Sequence, residues 1–120
     1  MKPILGFTRI QSLPSDPSSS ASHYFWTGTY TAHPGQRDQV LHYLTAFADE
    51  IVDSEPDTLN YIVLVPDDEE NDKDTLYLWE QFSDESALRD VHAKSNAAAG
   101  LKDTIGPLLK DRSMAGFRGM

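Results

Sequence analysis

A chain of 120 residues with 39% apolar side chains has the size and composition of one folded domain, with core enough to need no covalent staple. Its 19 acids against 10 Lys and Arg leave a net charge of −9, which argues against the clustered basic surface that nucleic-acid binding requires. The absence of Cys excludes disulfides, thiolate metal sites and a cysteine nucleophile.

Residues 1–22 stand apart as an N-terminal arm, extended or partly disordered, and residues 23–120 read as the folded domain. Within the arm, "MKPILGFTRI" suits a short extended segment able to pair with a sheet edge, whereas "QSLPSDPSSSAS" is too rich in Ser and Pro to pack. One Lys and a brief apolar run are too little for a secretory signal, and no apolar run is long enough for a bilayer, so a soluble cytoplasmic protein without a membrane partner is expected.

The pattern becomes regular at His23. "HYFWTGTYTA" is aromatic and Thr-rich and ends at "HPG", which predicts a strand and a turn. In "QRDQVLHYLTAFADEIVDSE", Val40, Leu44, Phe47 and Ile51 recur at helical spacing, and Pro56 ends that helix. "TLNYIVLV" and "TLYLWEQF" predict two strands of a hairpin. Between them, "DDEENDKD" holds six acids and one Lys, a net of −5 that leaves −4 for the rest of the chain. It has no central Gly or terminal bidentate Glu at calcium-loop spacing and reads as a solvated loop.

"SDESALRDVHAKSNAAAGLKDTIGPLL" predicts a second helix capped by Ser83 or Asp84, broken into pieces at Gly100 and at Gly106-Pro107. "SMAGFRGM" predicts a short final strand. The resulting order β-α-β-β-α-β predicts an α+β, ferredoxin-like fold with two helices on one face of a four-stranded antiparallel sheet.

Three segments carry a resemblance in the right order on this string. "HPGQRDQVLHYL" resembles the turn and first helix of antibiotic biosynthesis monooxygenase (ABM)-like domains. "EPDTLNY" resembles their "PG-x-L-x-Y", with Asp57 in place of Gly, and "WEQFSDESALRDVHAKS" resembles their "E-R-W-x-S-x-E-A-L-x-x-H-x-x-S". The resemblance implies a dimeric α+β barrel: a homodimer whose sheets pack face to face, with a cavity between sheet and helices in each subunit. Some members of that family oxidise aromatic polyketides with O2 and no cofactor, others degrade haem, and others act as isomerases or cyclases. The chain also departs from the pattern. Phe82 stands where the family has Trp, Leu78 where some members carry Asn, and His92 falls one residue late although Ser95 keeps its offset from it.

Alternation places Leu76, Leu78, Glu80 and Phe82 on one face of their strand and Tyr77, Trp79 and Gln81 on the other. The resemblance turns the first face toward the cavity and the second toward a partner subunit, which makes Trp79 a packing residue. A carboxylate among Leu and Phe side chains is costly to bury, and desolvation raises its pKa into a useful range. Glu80 is therefore the candidate catalytic base, unless Arg37 or Arg89 pairs with it.

His92 borders the apolar stripe of its helix and is the candidate orienting partner, or the base itself, unless it is a satisfied structural group. Tyr61, Phe82, Trp26, Tyr30 and Asn96 are candidate substrate-binding residues. The four His residues show no metal-ligand spacing, so no metal is expected. No cofactor is expected either, with haem ligation by His92 as a lesser alternative.

The expected partners are a small hydrophobic or aromatic substrate, O2 and a second copy of the chain. The expected function is cofactor-independent oxygenation of a polyketide-like compound through base-assisted deprotonation. Two alternatives are a non-oxidative isomerase, cyclase or dehydratase, and a binding domain whose cavity is only a filled core.

Overall fold

Residues 8–10, 23–68, 70 and 72–119 are described by the computed structural model. The rest of the arm and two positions of the acidic loop lie outside the described residues. Strand β1 (Thr8–Ile10) precedes β2 (Tyr24–Ala32), helix α1 (Arg37–Ser54), β3 (Thr58–Leu64) and β4 (Thr75–Phe82). A wide helical turn over Ala87–His92, helix α2 (Asn96–Ile105) and β5 (Leu109–Arg118) complete the chain.

The fold is ferredoxin-like. Four antiparallel strands run in the order β3-β4-β2-β5, and β1 adds a fifth at the free edge of β3, pairing Arg9 with Tyr61. Helix α1 buries Val40, Leu44, Phe47, Ala48 and Ile51 against Tyr61, Val63, Leu76 and Leu78 of the sheet and Ala98 and Ile105 of α2. Fully burying aliphatic and aromatic side chains such as these stabilises by about 1.5–3 kcal/mol each, so this stripe is what holds α1 to the sheet. Among the described residues, no helix is long and apolar enough to cross a membrane.

Three sequence expectations need correction. The interruption of the second helix falls at Ala93–Ser95 and not at Gly100, which lies inside α2. Ser95 restarts the helix because its hydroxyl accepts the Ala98 N–H at 3.0 Å, whereas an interior Gly costs only about 1 kcal/mol. The final strand begins at Leu109, four residues earlier than Ser113, because an edge strand needs backbone pairing with β2 and not an apolar pattern. On β3, alternation in the sequence puts Leu59 on one apolar face with Tyr61 and Val63, but Leu59 is only half-buried, because a bulge between Thr58 and Asn60 shifts the register there.

The sheet face opposite the helices carries Phe25 and Trp79, whose ring centroids lie 5.5 Å apart, and Phe117, 54% exposed. Toward one end of that face Gln81 accepts a hydrogen bond from Asn60 Nδ2 at 2.8 Å and lies 2.8 Å from His23 Nδ1.

Candidate functional site

Four short-range features bring three ionisable side chains together beneath the helix layer. Helix α1 stops at Ser54, and the Thr58 N–H bonds the Glu55 carbonyl at 3.1 Å around Pro56. That turn leaves the Glu55 carboxylate buried, where the Thr58 hydroxyl donates to Oε1 at 3.0 Å. On β4, Glu80 pairs in register with Tyr61 on one side and Trp26 on the other, so all three face the helices. Asp84 caps the following segment by accepting the Ala87 N–H at 2.9 Å.

The fourth feature is the turn Ala87–His92. It has the π-type pattern, with the Ala93 N–H bonded to the Leu88 carbonyl at 2.7 Å, five residues back. Such a turn accommodates one residue more than an α-turn. It returns His92 to the interior despite the one-residue displacement noted in the sequence.

His92 Nδ1 lies 2.6 Å from Glu55 Oε1, and Nε2 lies 3.4 Å from Glu80 Oε1. A carboxylate only accepts, so Nδ1 carries the hydrogen and Nε2 faces Glu80. The imidazole is wedged by Phe82, Phe47 and Tyr61, at centroid distances of 5.2, 5.5 and 6.3 Å.

Burial pushes Glu55 up, but the hydrogen bond and charge of His92, with help from Thr58, bring its pKa below the ordinary value. Burial dominates at Glu80 and pushes its pKa up to about 7, with His92 and Arg112 opposing the rise and Glu55 adding to it. Glu80 Oε1 has no hydrogen-bond partner, although the residue is only 4% exposed. Arg37 pairs with Asp38 and Arg89 with Glu85, so neither arginine plays the structural role considered for Glu80. A ligand at Nε2 of His92, haem iron included, would stand against the Glu80 carboxylate.

The group opens onto a cavity of about 430 Å³ whose wall includes Trp26, Tyr30, Tyr61, Glu80, Leu88 and His92. That volume falls within the range of small-molecule sites, about 300–1,000 Å³, and weighs against a domain whose interior is merely filled. The Tyr61 and Tyr30 hydroxyls are both held above the usual phenol range, first by burial and then by the Glu80 charge.

Five of the seven candidate residues thus converge on one space. Phe82 does not reach it: the ring is fully buried and packs against His92 from the smaller cluster of Tyr24, Ala87 and Leu88. Asn96 does not reach it either, facing a separate shallow groove between α1 and α2 beside Tyr43 and Glu50, because the restart at Ser95 rotates it away.

Sequence reasoning missed Glu55, which carries no local mark distinguishing it from Glu50 or other surface acids of the same helix. It also missed Lys102 and Arg112, which line the cavity from α2 and β5.

These features define a class: a small ferredoxin-like domain with a buried carboxylate–imidazole–carboxylate array opening into a cavity walled by aromatic, aliphatic and cationic side chains. The sequence profile of the antibiotic biosynthesis monooxygenases matches residues 24–102, well over half of the chain, and the protein belongs to that family. No curated protein matches the chain.

Among solved structures, a conserved protein from Methanosarcina mazei Go1 superposes with a TM-score of 0.74 at 16% identity, covering 86% of this chain and 98% of its own. A protein from Chloroflexus aurantiacus J-10-fl, proposed to be an antibiotic biosynthesis monooxygenase, gives 0.68 at 22% identity over 82% of this chain and 94% of its own. A proposed monooxygenase from Lactobacillus acidophilus NCFM gives 0.72 at 13% identity over 91% of this chain, which spans only 46% of that longer protein. At such identities the likeness is one of fold.

Proposed function

We propose that the protein is a small monooxygenase that works without a cofactor on a hydrophobic, aromatic, polyketide-like substrate. The observation that carries this reading is Glu80: a buried carboxyl with an unsatisfied oxygen, poised near neutrality on the cavity wall. Glu80 takes a proton from a substrate carbon flanked by aromatic rings. His92 orients and steadies the carboxylate, and Glu55 fixes the imidazole. The substrate carbanion then gives one electron to O2, the two radicals join as a peroxide anion that takes the proton back from Glu80, and the hydroperoxide loses water with the carbon's second hydrogen to leave a ketone. One oxygen atom ends in the product and the other in water.

Trp26, Tyr30 and Tyr61 wall the rings, and the protein's part is a dry, oriented space with a base in it. The test is oxygen uptake on an anthrone-type substrate, lost in Glu80→Gln while the fold is kept. Equal uptake by the variant would sink the assignment.

One observation favours a second reading. The Glu–His–Glu array is proton-transfer equipment and equally suits a non-oxidative isomerase, cyclase or dehydratase. Turnover under strict anaerobiosis selects that reading over the first.

The active unit in this reading is a homodimer. Phe25, Trp79, half-exposed Tyr77 and Phe117 make the sheet face away from the helices apolar enough to be covered by a second copy. Light scattering of the eluted protein measures this directly, and a monomeric mass rejects it.

A further inference from the structure

We infer that the ligand of the cavity carries an anionic oxygen group, such as a carboxylate, bound by Lys102 and Arg112 away from Glu80. The inference rests on the proposed function only in taking this cavity as the ligand site. In a chain with nearly twice as many acids as cations, three cations line one cavity: Arg89, Lys102 and Arg112. Arg89 is already engaged, its Nε 2.6 Å from Oε2 of Glu85, a carboxylate it shares with Arg118. Lys102 and Arg112 are different. Among the described residues neither has a carboxylate within ion-pair distance, and both side chains are exposed where they border the cavity.

Arg112 is also positioned. Its guanidinium stands 6.0 Å from the centroid of the Tyr30 ring, which is itself a wall of the cavity. A planar fork held over an aromatic wall presents paired N–H donors, the geometry that matches a carboxylate.

The strand register sets the spacing. Tyr30 pairs with Arg112, and Trp26 pairs with Glu80. Four residues along β2 separate the two backbone levels by about 13 Å, and the long side chains close part of that distance, since the Arg112 charge is felt at Glu80. The expected ligand therefore has its reacting carbon at the Glu80 level and its acidic oxygen toward the Tyr30–Arg112 level. The cations also offset the repulsion that such an anion would meet from the ionised Glu80.

The probes are 6-hydroxy-2-naphthoate and its neutral primary amide, titrated into the full-length protein by calorimetry. The carboxylate should bind about tenfold more tightly than the amide, and the preference should shrink as salt rises from about 50 to about 500 mM. In the Lys102→Gln/Arg112→Gln double variant, whose exposed positions leave the melting temperature unchanged, the two probes should bind within about twofold of each other.

Equal binding of both probes to the unmodified protein overturns the inference. So does an undiminished preference in the double variant, or no binding of the carboxylate at millimolar concentration. The same titration in Glu80→Gln separates this inference from the proposed reaction. A preference that persists there while oxygen uptake by the unmodified protein fails keeps the anion site and discards the chemistry.

Discussion

Glu55 and His92, 37 residues apart in the chain, meet at 2.6 Å and between them decide what Glu80 faces. Because the Glu55 carboxylate can only accept, it holds a hydrogen on Nδ1 and turns Nε2 toward Glu80. Glu55→Gln keeps the shape and removes the charge. It should lower kcat by about 10–100-fold with little change in KM, since Glu55 touches no substrate. Nitrogen chemical shifts of the His92 ring would register the change of tautomer preference, which a purely structural role would leave in place.

The rate should depend on Glu80 ionisation. Its carboxyl must be unprotonated to act as a base, so kcat/KM should rise with pH through an apparent pKa of about 7. In Glu80→Gln that limb should vanish together with most of the activity, a loss of about 10²–10⁴-fold. A pH profile unchanged in shape in the residual activity would assign the limb to another group.

Burying this carboxyl also has a cost in stability. The folded state holds the Glu80 proton more tightly than the unfolded chain does, so the contribution of Glu80 is most favourable below the ordinary value of 4.5. It declines as pH rises toward and past about 7. The difference corresponds to roughly 3 kcal/mol once the group is ionised. Glu55 runs the other way: its lowered pKa stabilises above the ordinary value and is lost on acidification. Denaturant titrations should therefore find Glu80→Gln more stable than the unmodified protein at pH 8, with the gap closing toward pH 5. No gap at pH 8 would mean that Glu80 is better solvated than its burial implies.

Phe82 offers a separation of stability from binding. Fully buried against the His92 ring, it should cost about 3–5 kcal/mol when replaced by Ala, measured by urea denaturation. Phe82→Leu should recover most of that stability and leave KM nearly unchanged, because the ring does not line the cavity. A large rise in KM for the Leu variant would restore Phe82 as a substrate contact.

Much of the fold was legible because periodicity reports burial directly. Val40, Leu44, Phe47 and Ile51 at helical spacing, and Leu76, Leu78, Glu80 and Phe82 at every second position, are all buried on α1 and β4. The same alternation singled out Glu80, since an acid on an apolar face is visible without coordinates. It also kept Trp79 out of the site: that ring lies on the far face against Phe25.

The partnerships had to wait for the tertiary structure. Glu55 looks like any acid at a helix end until the Pro56 turn brings it beneath His92, and His92 looks misplaced until the wide turn at Ala87–His92 returns it inward. Lys102 and Arg112 sit on elements joined only by a reversal of the chain, so no local pattern couples them. Sequence by itself determined which faces are apolar and therefore which layers form, because hydrophobic burial follows a local period. Only the tertiary structure decided which polar groups share the interior. Distances of a few ångströms between residues far apart in the chain are set by turns, caps and register, where a shift of one residue changes every partner.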